Sequence, residues 1–185
     1  MKGFRPLLAL VFLSFIAHAH AQLDLGTPTS RTPYDAYLTP MWTVLHQLSG
    51  KADPNLAAEL VRRGRSFRYC YKADQPYVPQ TPEETDSLHA GDCKAKSLWV
   101  ASKLNDRNIR FVIGKAKQAA NTSHAWLMWD GPNGWMILDA TLYSTPLVPT
   151  RLSPTEFIPT YSFSPTGKYA HHAGTTGQAK NGDHF

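Results

Sequence analysis

Residues 123–141, SHAWLMWDGPNGWMILDAT, constrain the fold of this chain more than any other stretch. Two apolar runs, 123–129 and 135–141, flank GPNG, whose Pro, Asn and Gly mark a turn. The pattern predicts an antiparallel hairpin. Both of its faces are largely apolar, so the sheet that contains it has to be covered on each side. If the turn closes symmetrically, Asp130 faces Trp135, His124 lies opposite Thr141, and Trp126 lies opposite Asp139. His124 and Asp139 then share a face, one diagonal step apart, within reach of a carboxylate–imidazole hydrogen bond. A three-residue loop reverses the parity and separates them.

Helical signals precede the hairpin. PMWTVLHQLSG (40–50) reads as a short helix stopped by Gly50, and a second starts at Asp53-Pro54 and runs to Gly64. Thr81, Pro82 and Glu84 form a capping-box start. A longer helix is predicted over 93–106, with Asp92 as its N-cap. RSFRYCYK (65–72) alternates, with Phe67, Tyr69 and Tyr71 on one face and Arg68, Cys70 and Lys72 on the other. Strands are also expected at 109–115 and 160–164. The fold class that follows is α+β, with N-terminal helices and a Cys-bearing helix packed on an antiparallel sheet. Residues 165–185 are Gly-rich and polar and read as a flexible tail, with His171 and His172 solvated.

The start of the chain reads as an export signal. Lys2 and Arg5 lead into LLALVFLSFIA (7–17), and Ala19-His20-Ala21 supplies a small-x-small end. The apolar run is too short to stay in a bilayer as an anchor. The expected organisation is a signal peptide at 1–21, a lead-in with N-terminal helices at 22–64, a core at 65–164 and the tail. Cleavage before Gln22 leaves 164 residues, enough for one domain with a real core. Removing Lys2 and Arg5 lowers the net charge from +5 to +3. No run of Lys or Arg stands out, so nucleic acid is a poor partner for this chain. A secreted or periplasmic location follows from the signal.

Export also means an oxidising setting, in which the only two cysteines, Cys70 and Cys93, could form a disulfide. Cys93 sits at the first residue of the predicted helix, where unpaired N–H groups and the positive dipole end favour a thiolate. Lys94 and Lys96 add positive charge in the same turn. Cys93, Ser97, Val100, Ala101 and Leu104 fall on one stripe, which should pack on the sheet. Cys93, His124 and Asp139 would together form a Cys-His-Asp arrangement. The thiolate attacks an acyl carbon, the imidazole shuttles the proton, and the carboxylate orients the ring.

At these residues the chain also resembles the transglutaminase-like superfamily, in particular the bacterial transglutaminase-like cysteine peptidases. GDC (91–93), a helix, HAW (124–126) and LDAT (138–141) occur in the family's order and spacing. The resemblance covers roughly residues 65–145. It implies a papain-like α+β fold and acyl transfer on amide substrates, with Cys93 as nucleophile, His124 as base and Asp139 as orienting acid. VPQTPEET (78–85) looks like the family's segment before the Cys helix, which implies Gln80 as an oxyanion-hole donor beside the backbone N–H of Cys93. The chain departs from the family in having Lys94-Ala95-Lys96 where many members are acidic.

Two function classes follow. One is an exported thiol enzyme acting on a peptide or protein substrate, by hydrolysis or by transfer to an amine. The other is a non-catalytic binding domain on the same fold, holding a Cys70–Cys93 disulfide. A zinc set of His89, Cys93 and His124 or Asp139 lacks the usual paired spacing, and Gly91 interrupts any helix joining the first two. No metal or other cofactor is therefore expected. The sequence is silent on oligomeric state.

Overall fold

The computed structural model describes residues 23–71 and 78–172. The expected signal peptide and residues 173–185 of the expected tail lie outside the described residues. The fold is mixed helix and antiparallel sheet, as its sequence pattern requires.

Four helices form where the sequence pattern places them, and three of them carry the start signals read there. Helix α1 spans Thr39–Gln47, and α2 spans Pro54–Ser66, with Asp53 accepting hydrogen bonds from the N–H groups of Asn55 and Leu56. Helix α3, Pro82–Leu88, starts with a complete capping box. Thr81 Oγ1 accepts from Glu84 N at 3.2 Å, and Glu84 Oε2 accepts from Thr81 N at 2.9 Å. It stops at His89, whose φ of 46° turns the chain out of the helix. Helix α4 spans Cys93–Leu104, with Asp92 as N-cap.

Strands β1 (Thr27–Thr29), β4 (Ile109–Lys117), β5 (His124–Gly131), β6 (Gly134–Leu138), β7 (Glu156–Ser164) and β8 (Gly167–Ala170) form one sheet, ordered β1-β8-β7-β4-β5-β6. Every neighbouring pair in it is antiparallel. Strands β2 (Arg68–Tyr69) and β3 (Ala90–Gly91) make a separate parallel pair. The β5–β6 turn is the two-residue Pro132-Asn133, closed by Gly131 against Gly134, and Asp130 pairs with Trp135. That is the symmetric register, with His124 and Asp139 on the same side.

Both sheet faces are covered. On one face the helices meet the sheet through Trp99, Leu98, Phe111, Leu127, Trp129 and Phe163, all nearly or fully inaccessible. On the other, Val112, Trp126, Met128, Ile137 and Phe157 form a smaller core under Leu23, Tyr143, Leu147 and Leu152. The Pro-rich stretch after residue 142 is thus the lid of this second layer, which is why an apolar hairpin can be two-faced.

Three expectations are corrected. The lead-in contains β1, and the expected tail contributes β8 next to it. Pairing to β7 and β1 satisfies the backbone of a stretch whose composition alone looked structureless. His171 is buried, with Nε2 2.8 Å from Ser162 Oγ. The alternating run at 65–72 shortens to the two residues of β2, because α2 continues through Ser66 and Phe67 turns into the core.

Candidate active site

Cys93 is placed by the cap that starts α4. Asp92 Oδ1 accepts from both Lys94 N and Ala95 N at 2.9 Å, which satisfies two of the helix's orphan donors and fixes Cys93 as the first helical residue. Gly91 precedes them under tight packing. A Cβ there would lie 2.9 Å from Ala95 Cβ and 3.3 Å from Gln80 Oε1, so only glycine lets the strand end approach the helix this closely. The helix is held down on the sheet by Ser97, whose Oγ donates to Ala125 O at 3.2 Å in a buried setting.

His124 opens β5. Ala125, Leu127 and Trp129 belong to the helix-facing core and Trp126 and Met128 to the other, so strand alternation sets His124 with the latter. As the first residue of the strand it stands at the sheet's end, where its ring meets Cys93. Its Nε2 lies 2.8 Å from Asp139 Oδ2, which leaves Nδ1 for the thiol. Asp139 follows directly on β6. Its other oxygen, Oδ1, accepts from the N–H groups of Thr141 at 2.8 Å and Leu142 at 3.2 Å, so this fully buried carboxylate is hydrogen-bonded on both oxygens. Trp126 stacks on the imidazole with 6.0 Å between ring centroids.

Burial alone pushes the His124 ring down. Hydrogen bonds to Asp139 and Cys93, and attraction to both as anions, outweigh it and raise the ring to about 9. At neutral pH the imidazole holds its proton. A protonated ring beside a thiol is the partner that a thiolate nucleophile requires.

The Cys93–His124 pair lies between two lobes of a cleft, about 340 and 380 Å³ in volume. Tyr69, Thr122 and Ser123 border both lobes with the pair. Tyr71 and Lys94 extend the first lobe, and Ala116, Thr141 and Leu142 the second. Cys93 itself is 5% exposed, enough to be met from the cleft but shielded from bulk water.

The structure thus brings Cys93, His124 and Asp139 together. Gln80 is buried against Gly91, and it borders neither lobe. Both cysteines are free. Cys70 N donates to Gly91 O at 3.2 Å, next to the cap, without a bond between the sulfurs. Among the described residues no group of three or more His, Cys, Asp and Glu side chains is arranged to hold a metal ion, and His89 instead packs edge-on against Phe67.

Two features escaped the sequence. Lys96 is 1% exposed, and its Nζ donates to Phe67 O at 2.6 Å, so a cation read from the sequence only as positive charge beside Cys93 ties β2's approach to α4. Burial, with a push from Arg65 and against a pull from Asp139, lowers its pKa. Tyr69 borders the cleft. The alternation at 65–72 put it on an apolar face, but no local signal said which cavity that face would border.

No protein-family model and no curated protein matches the sequence. Among solved structures, Legionella pneumophila LapG is similar, with a TM-score of 0.51 and 20% identity over 74% of this chain and 81% of that one. The calcium-bound structure of LapG is similar at a TM-score of 0.52 and 21% identity, covering 70% of this chain and 76% of that one. This likeness is one of fold, the transglutaminase-like fold.

Proposed function

We propose that this protein is an exported thiol enzyme that cleaves peptide or amide bonds through an acyl-enzyme on Cys93. The observation that carries the reading is one imidazole hydrogen-bonded to Asp139 and held in its charged form by Asp139 and Cys93, with ring and thiol lining the same two-lobed cleft. The LapG-like fold supports a cysteine protease of the transglutaminase-like type, with a protein or peptide as substrate.

In this mechanism Cys93 Sγ attacks the carbonyl carbon of the bound amide. The backbone N–H of Cys93, at the α4 N-terminus, faces the developing oxyanion. The resemblance implies Gln80 as a second donor to the oxyanion; its amide is buried beside Gly91 and borders neither lobe of the cleft. The His124 imidazolium protonates the leaving amine as the C–N bond breaks. The neutral ring then takes a proton from water, which attacks the thioester and releases Cys93. Asp139 holds the ring in the orientation that both transfers need. Replacing that water with an amine gives the transglutaminase-type reaction, the second reading. The charged start, apolar run and small-x-small end of residues 1–21 support export to the periplasm or medium, and no helix among the described residues is long and apolar enough to cross a membrane.

The test is alkylation and turnover on the mature chain. Iodoacetamide should label Cys93 without prior reduction, and Cys93→Ala should abolish amidase activity on peptide substrates. A Cys93→Ala variant with wild-type activity overturns the reading.

A further inference from the structure

Tyr69 is a hydroxyl-bearing residue that, like Thr122 and Ser123, lines the cleft beside Cys93. It borders both lobes of the cleft, as Cys93 and His124 do, so it stands where a chain crossing from one lobe to the other is attacked. Its backbone is fixed from two sides. In the β2–β3 pair Tyr69 is matched with Gly91, two residues before the nucleophile, and Phe67 O is tied to the buried Lys96 of α4. The side chain is 55% exposed, so substrate can reach it. Burial of part of the ring, then the negative charge of Cys93, Asp92 and Tyr71, push its phenol up to about 12, so it remains a hydrogen-bond donor throughout the range in which His124 holds its proton. Gln80, the amide implied by resemblance, borders neither lobe.

We propose that Tyr69 is a further catalytic residue, its phenolic O–H donating a hydrogen bond to the oxyanion formed when Cys93 Sγ adds to the substrate carbonyl. The inference rests on Cys93 being the nucleophile. As the S–C bond forms, the C=O π pair moves to oxygen, which accepts from Tyr69 O–H and from Cys93 N–H. When the pair returns, the C–N bond breaks and His124 supplies the proton to nitrogen. Tyr69 keeps its own proton throughout. A donor of this kind is worth more in the transition state than in the ground state, because the ground-state carbonyl carries less charge.

The experiment compares two electrophiles on the mature chain. p-Nitrophenyl acetate acylates a thiol through a tetrahedral oxyanion, whereas iodoacetamide alkylates it by displacement at a saturated carbon without one. Tyr69→Phe should slow acylation by about tenfold or more and leave alkylation within about twofold of wild type. With a peptide substrate the loss should fall on kcat rather than KM. Tyr69→His, which restores a ring N–H donor, should recover part of the acylation rate and serves as the second variant should Tyr69→Phe fold poorly. Equal slowing of both reagents in Tyr69→Phe, or acylation at the wild-type rate, overturns the proposal. Loss of the nucleophile reading has a different signature, namely Cys93→Ala reacting with both reagents as wild type does.

Discussion

His124 Nε2 lies 2.8 Å from Asp139 Oδ2, and the same ring lines the cleft together with Cys93. Those two partners raise the ring from 6.5 to about 9 against its burial. A group whose folded-state value is raised stabilises the fold fully below its unfolded value and loses that contribution as pH rises through the folded one. The stability this ring contributes should therefore be complete below pH 6.5 and decline through about pH 9. Turnover should fall over the same alkaline window as the imidazolium that protonates the leaving amine is lost. In Asp139→Asn the ring's titration, followed by its NMR resonances, should move down towards 6.5. kcat should drop by about 10²- to 10⁴-fold in the same variant.

Gly114 pairs with His124 across β4 and β5, at the point where the β4–β7 register shifts. A Cβ at Gly114 would lie 2.1 Å from Ile158 O and 2.8 Å from Trp126 Cη2. The first is backbone and cannot swing aside. Gly114→Ala should destabilise the fold by about 2–3 kcal/mol, read as a lower denaturant midpoint. It should also lower activity by moving Trp126 and with it the His124 ring.

Ser97→Ala removes the hydroxyl that α4 donates to Ala125 O and leaves that buried carbonyl without this donor. The expected cost is about 1–2 kcal/mol in unfolding free energy with an unchanged denaturant slope. Because Ser97 lies one turn beyond Cys93, a fall in the iodoacetamide labelling rate should accompany it.

Lys96→Met should separate stability from activity. The ammonium is buried, and its loss removes a desolvation penalty while costing the bond to Phe67 O. The two effects oppose each other, so thermal stability at neutral pH should stay within about 1 kcal/mol of wild type. Activity should fall, because the Phe67–Tyr69 segment loses its tie to α4. The lowered pKa of Lys96 means that wild type pays its penalty as pH falls below 10.5. The stability of the variant relative to wild type should therefore decline as pH rises towards that value, which melting curves at several pH values will show.

Much of this arrangement was legible in local sequence. Asp53, Thr81 and Asp92 cap helices as their side-chain chemistry and following residues indicated. GPNG closed with the symmetric register, and that parity is enough to bring His124 within hydrogen-bond distance of Asp139. Strand β8 was not legible, because Gly167–Ala170 has no strand-forming pattern of its own and is ordered by pairing with β7 and β1. His171 was misread for the same reason. A histidine beside a polar tail reads as solvated until a distant strand, here β7 with Ser162, supplies its partner.

Capping, turn closure and strand parity depend on neighbours within a few residues, so the sequence alone determined where Cys93 begins its helix and that a symmetric turn puts His124 and Asp139 on one face. Whether those three side chains meet, and that Lys96 is buried and Tyr69 borders the cleft, depended on how α4 and β2 dock against the sheet's end. Docking is set by the summed packing of residues far apart in the chain, such as Trp99, Phe67 and Trp129, and no local window contains that sum.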